Sequence, residues 1–72
     1  MTIKVGDKVK LMLPFVLEQV GKDAIELEEG TEVEVYDVHK KDNGQIATVV
    51  VQWKGKRFWT SPEEVEKIDN DT

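Results

Sequence analysis

The side chains with the most binding chemistry lie together near the end of the chain, in VQWKGKRFWTSPEEVEKI, Val51 to Ile68. Val51 to Trp59 holds both tryptophans, one of the two phenylalanines and three of the ten basic residues, around Gly55. Aromatic rings stack on nucleic-acid bases, and a tryptophan beside an arginine is a frequent anchor of protein interfaces. Two readings compete for this stretch. It is a basic-aromatic surface for a nucleic acid or a peptide, or it is a hairpin closing a small core.

The remaining reactive side chains form no catalytic constellation. His39 is the sole histidine, in YDVHKKDNG, with Asp37 and Asp42 as its carboxylate neighbours. A zinc site needs several ligands at once, and with no cysteine there is little to build one from. His39 is expected to be a strand-end surface residue. Glu32 and Glu34, two apart on a strand, share a face and should point into solvent together. Acid–base work would need such carboxylates desolvated in a pocket. Ser61 has no histidine near it in sequence to activate it. Gly21, Gly30, Gly44 and Gly55 stand alone rather than in a phosphate-cradling loop. The expectation is a protein that is not an enzyme, with no catalytic residue, metal ligand or cofactor.

These residues must be positioned by a small scaffold. A chain of 72 residues makes one domain, 1–72, with frayed ends expected over 1–5 and 70–72. At this size only ~60% of the unfolded surface is hidden on folding, so the core is small. No cysteine is present, which fits a reducing compartment. No charged-then-apolar leader and no apolar run of membrane-spanning length stand out, so a cytoplasmic location and no membrane partner are expected. Net charge is -5, unevenly spread. Residues 23–37 carry seven acidic groups and no basic one; residues 38–60 carry five basic groups and one acidic. A whole-surface attraction to DNA is unfavourable with this balance, while a local basic patch is not.

The dominant period is two. Val9, Leu11 and Leu13 alternate with Lys8, Lys10 and Met12; Val33 and Val35 alternate with Glu32, Glu34 and Tyr36; Val49, Val51 and Trp53 alternate with Thr48, Val50 and Gln52. Such alternation with β-branched enrichment is the strand signal. Asp42-Asn43-Gly44 and, more weakly, Lys54-Gly55 are hairpin turns, because Asn and Gly tolerate positive φ. Ser61-Pro62-Glu63-Glu64 starts a short helical turn, with Ser61 as cap, proline first and Glu64 completing a capping box. The spacing predicts strands over 8–13, 31–39, 45–53 and 56–60, a helical turn, and a brief last strand near 66–68. Residues 14–30 are expected as a long loop folded over one open end of the barrel, since Phe15, Val16, Leu17, Val20, Ile25 and Leu27 are more apolar than a solvated loop needs; the alternative is an exposed apolar patch that marks a partner surface.

With its GDKVKL opening and FWTSPEEVEKI tail, this order resembles the SH3-like barrel. The resemblance covers nearly the whole chain and implies an all-β fold, a small five-stranded barrel with a short helical turn before the last strand. It is similar at a distance to electron-transport accessory barrels, the families of the small barrel component of photosystem I and of the ferredoxin-thioredoxin reductase variable chain. From those only a scaffold role is implied, since no cofactor ligand supports redox chemistry. Signalling SH3 domains carry an aromatic-rich stretch after the first strand and a tryptophan opening the third. The corresponding regions here read LPFVLEQV and GQIATV. Phe15 stands in for one groove aromatic, but Gln45 or Ile46 holds the tryptophan position, which argues against binding of proline-rich peptides. An OB-type barrel would want longer strands and a helix where this chain has only Lys54-Gly55.

A two-residue turn at Lys54-Gly55 pairs Trp53 with Lys56, Gln52 with Arg57, Val51 with Phe58 and Val50 with Trp59. Opposed residues share a face. Val49, Val51, Trp53 and Phe58 then face the core, and Gln52, Arg57, Val50 and Trp59 the other side. The function expected is a non-catalytic protein–protein interaction or accessory subunit with a protein partner. Trp59, Arg57, Tyr36, Lys54 and Lys56 are its partner-binding candidates. Two alternatives follow from the charges. One is association with nucleic acid through the hairpin tip, Lys54 to Arg57, with Lys40 and Lys41. The other is a small acidic inhibitor that imitates nucleic acid with the 23–37 strip.

Overall fold

Strands form wherever apolar residues alternate, and each stops where the backbone can no longer pair. The computed structural model describes residues 3–68. Its strands are β1 (Lys8–Leu11), β2 (Phe15–Gln19), β3 (Lys22–Leu27), β4 (Glu32–Lys40), β5 (Ile46–Trp53), β6 (Lys56–Thr60) and β7 (Val65–Lys67). One 3₁₀ turn, Pro62–Glu64, joins β6 to β7. The protein is thus mostly β, with seven strands in two sheets.

The larger sheet has the order β6-β5-β4-β1-β7, all neighbours antiparallel. Its five strands correspond to those expected from the sequence, β1, β4 and β5 by alternation and β6 and β7 from the turns that precede them, with the last at Val65–Lys67 rather than 66–68. It does not close on itself: β6 and β7 are its two open edges. β1 ends at Leu11, not at residue 13. There the Met12 amide leaves the ladder to donate to the Glu64 carbonyl at 2.8 Å. Pro14, two residues on, has no N–H to offer a sheet.

Residues 14–30, expected as a loop, instead hold a second sheet, the β2–β3 hairpin. Its covering role is nevertheless present. Leu27 is buried, and Phe15, Leu17 and Ile25 pack against the core. The opposite face shows Val16 to solvent, as the turn does Val20.

Val9, Leu11, Val33, Val35, Val49, Val51, Phe58 and Val65 form the core together with Ile3 and Leu27. Ile3 is buried, and the Lys4 amide donates to Asp7 Oδ2 at 2.9 Å, tying this end to β1. Residues 1–2 and 70–72 lie outside the described residues. β5 is the most enclosed strand, with Val49, Val50 and Val51 all buried. The one buried polar side chain in this set, Thr60, donates its hydroxyl to the Val49 carbonyl at 2.8 Å, so no polar group is stranded.

Ser61 sits at the head of the 3₁₀ turn as its sequence suggests. Glu64 reaches back and accepts from the Ser61 amide at 2.7 Å and from its hydroxyl at 3.0 Å. The serine is therefore engaged in closing the turn that delivers β7 to β1.

Candidate functional site

The hairpin register decides which side chains face outward. Pairing runs Trp53↔Lys56, Gln52↔Arg57, Val51↔Phe58, Val50↔Trp59 and Val49↔Thr60, as a two-residue turn requires. Lys54 and Gly55 have φ of 48° and 80°. Positive φ at both central residues marks a type I′ turn, whose twist matches that of the strands. Val49, Val51 and Phe58 accordingly enter the core, and Trp53 packs at its margin.

On the outer side, Glu34, Gln52 and Arg57 form one cross-strand row, and Asp37, Val50 and Trp59 the next. The Gln52 amide donates to Glu34 Oε1 at 2.6 Å. Between the rows β4 is bulged: its register shifts between Val35 and Asp37, leaving Tyr36 as the extra residue. A bulge re-aims a side chain. Here it sets the Tyr36 ring beneath the Arg57 guanidinium, 4.1 Å from ring centroid to Cζ. An exposed contact of this kind contributes about 0.5–1 kcal/mol and holds the guanidinium in place.

Trp59 is 69% exposed and Tyr36 41%. Val50, directly opposite Trp59, is only 6% exposed although it lies on the outer face. The indole therefore shields Val50 with part of its surface and leaves the larger part open. Of the residues singled out in the sequence, Trp59, Arg57 and Tyr36 come together on one face. Lys54 and Lys56 do not join them. Lys56 alternates with Arg57 and so lies on the other side of β6, while Lys54 places its ammonium 4.8 Å from the Trp53 ring.

The charge-based alternatives fare differently in this geometry. Lys40 and Lys41 lie at the far end of β5 from Lys54, roughly 20 Å away at the rise of a strand. No single basic groove joins them. In the acidic strip, Glu32 and Glu34 are paired across strands with Lys10 and Lys8. His39 is exposed and carries Asp37 at 3.3 Å. Among the described residues no three carboxylates or imidazoles are grouped to hold a metal ion. Nor, among these residues, is any helix long and apolar enough to cross a membrane.

A feature absent from the sequence reading adjoins Trp59. Four consecutive residues of β2, Val16 to Gln19, and four of β6, Lys56 to Trp59, wall a groove of about 360 Å³. Alternation of Phe15 and Leu17 with Val16 and Glu18 was the signal that could have found its β2 wall. A second groove of about 380 Å³, beside the hairpin tip, is lined largely by mixed charges, among them Lys8, Glu32, Glu34 and Lys54. No protein-family model, curated protein or solved structure matches the chain.

Proposed function

We propose that this chain is an SH3-like barrel domain serving as a non-catalytic interaction or accessory subunit. The observation that carries the reading is the outer face of β4, β5 and β6, where Trp59 is 69% exposed beside an arginine held against Tyr36. A solvent-facing indole next to a fixed guanidinium is the composition of an interface anchor. Order of strands supports the fold assignment. Five strands run in the expected sequence, the 3₁₀ turn precedes the last, and the β2–β3 hairpin packs Phe15, Leu17, Ile25 and Leu27 against the core. The Tyr36–Arg57 stack reduces the mobility that a free arginine would lose on binding. The proposal includes a cytoplasmic location, with which the cysteine-free composition is compatible.

The test is retention of a partner from native lysate on immobilised wild type and on Trp59→Ala. Wild type should retain a specific protein, and the variant should lose it, since truncating an anchor tryptophan costs about 2 kcal/mol or more of binding. Equal retention by both, or none by either, overturns the reading. Absence of binding to single-stranded DNA or RNA at low salt eliminates the nucleic-acid alternative.

A further inference from the structure

The groove between β2 and β6 is walled by two strand edges that no other strand occupies among the described residues. β6 pairs only with β5, and β2 only with β3. In the two-residue hairpin Trp53 and Lys56 form a hydrogen-bonded pair, and bonded and non-bonded pairs alternate from there. Phe58 and Thr60 thus bond to β5, while the backbone N–H and C=O of Arg57 and Trp59 point to the open edge. No hydrogen bond outside the β5–β6 pairing reaches either group among the described residues. The row of backbone groups is a template for one more strand.

We propose that this edge takes an extended segment of a partner protein as an added antiparallel strand, apolar opposite Trp59 and Phe58 and acidic opposite Arg57 and Lys56. The proposal rests on the interaction-subunit reading and names the kind of partner. Its chemistry follows from the walls. Val16, Leu17, Phe58 and Trp59 supply apolar surface, and Lys56 and Arg57 outnumber the one carboxylate, Glu18. Because opposed residues share a face, the segment reads apolar, apolar, acidic, acidic from its N-terminal end. A second copy is the poorer occupant. Its own β6, Lys56-Arg57-Phe58-Trp59-Thr60, carries no carboxylate, and in an antiparallel pair centred on Phe58 it would set Trp59 opposite Arg57 and Thr60 opposite Lys56, leaving both cations without a counter-charge. The volume, about 360 Å³, lies at the small end of the range for ligand sites and suits a short extended segment rather than a folded face.

The probe is a synthetic capped hexapeptide, Thr-Val-Leu-Glu-Glu-Thr, with Thr-Val-Leu-Lys-Lys-Thr as its charge-reversed counterpart. Binding is read by calorimetry and located by amide chemical shifts. The acidic peptide should bind at least about tenfold more tightly than the basic one, with the largest shifts at Arg57, Trp59 and Val16. Replacing the Trp59 amide N–H by an ester oxygen, in protein made by chemical synthesis, keeps every side chain and removes one open-edge donor. It should weaken the acidic peptide about tenfold. Arg57→Glu, which needs no synthesis, should reverse the preference between the two peptides.

No binding of the acidic peptide, equal binding of both peptides, or an unchanged affinity in the ester protein each overturns strand addition. If Trp59→Ala meanwhile loses its lysate partner, the interaction-subunit reading stands and only this mode falls. If sedimentation shows that the protein alone dimerises and that the ester abolishes the dimer, a second copy holds the edge and the partner-segment proposal is overturned.

Discussion

The two hairpins β2–β3 and β5–β6 are built from similar lengths of chain and do opposite things. β5–β6 is joined through β4 to the rest of the larger sheet, and β5 is buried on both faces at Val49, Val50 and Val51. Among the described residues β2–β3 pairs with no third strand, and it buries side chains on one face only, leaving Val16 60% exposed on the other. Their turns differ too. Lys54 and Gly55 both have positive φ, whereas in the Val20-Gly21 turn only the glycine does. A turn that lacks the primed geometry splays its strands, and β2–β3 absorbs the mismatch in a register shift between Leu17 and Gln19. A hairpin inside a sheet carries the core, and a hairpin outside it carries a cover. A groove forms where the two meet without pairing.

The largest effect should come from the ring pair that links them. Phe15 and Phe58 lie 5.5 Å apart, centroid to centroid. Phe58 is 7% exposed, and Phe58→Ala should cost about 3–5 kcal/mol in urea denaturation. That is a large share of the about 4–11 kcal/mol expected for a domain this size. Phe15, half-buried on the cover, should cost about 1–2 kcal/mol when truncated. Equal costs would break the comparison and make β2–β3 part of the same cooperative core.

Next in size are the turn glycines. An alanine forced to the left-handed region costs about 1–2 kcal/mol. Gly55→Ala should show that loss in global stability, because its hairpin cannot open without the sheet. Gly21→Ala should show less, since β2–β3 can open locally and so caps the penalty it transmits. Hydrogen exchange on the two variants separates local from global opening. Loss of protection across β4 in Gly21→Ala would contradict this division.

The same division governs what was legible in the sequence. β4 and β5 announce themselves, because a strand buried on one face repeats every second residue and one buried on both reads as a β-branched run such as Val49 to Val51, and Lys54-Gly55 sets the register of β6 that follows. Trp59 could therefore be assigned to the outer face from spacing alone. β2–β3 hid in an apparent loop. Its turn, Val20-Gly21, lacks an Asn or Asp, and the register shift adds a residue to β3 at Asp23-Ala24, which interrupts the alternation there. The Tyr36 bulge was equally silent, because one extra residue in a strand changes pairing without changing composition. Yet that bulge is what brings Tyr36 to Arg57. The site was legible as a set of residues but not as a contact, and the groove on β2 left only the short alternation of Phe15 and Leu17 with Val16 and Glu18 as its signal.

A smaller effect sharpens the contrast between turns. Lys54 has φ of 48°, a conformation asparagine adopts more readily. Lys54→Asn relieves up to about 1 kcal/mol of that strain and forfeits about 0.5 kcal/mol of cation–ring contact with Trp53. A net gain of a few tenths of a kcal/mol is expected from thermal melting. Val20→Asn has no positive φ to relieve and should give no gain. A matching gain at Val20 would mean that the two turns share one geometry after all.

The smallest effect should leave the comparison intact, and for that reason it serves as its control. Asp7 belongs to neither hairpin. Its Oδ2 accepts the Lys4 amide at 2.9 Å and lies 3.5 Å from Lys67 Nζ. The Lys4 hydrogen bond, and after it the Lys67 charge, hold its carboxyl below the ordinary 3.8 despite some desolvation. The folded protein therefore binds this proton more weakly than the unfolded chain does. Its contribution to stability is complete above pH 3.8 and fades as the pH falls below it towards the folded value. Asp7→Asn should flatten the acid limb of the stability curve below that pH, as followed by denaturant melts. Because the contact joins the start of β1 to β7, both hairpins should lose protection together on acidification in wild type. Selective acid loosening of β2–β3 would show that the cover is held by a charge rather than by Phe15, Leu17, Ile25 and Leu27.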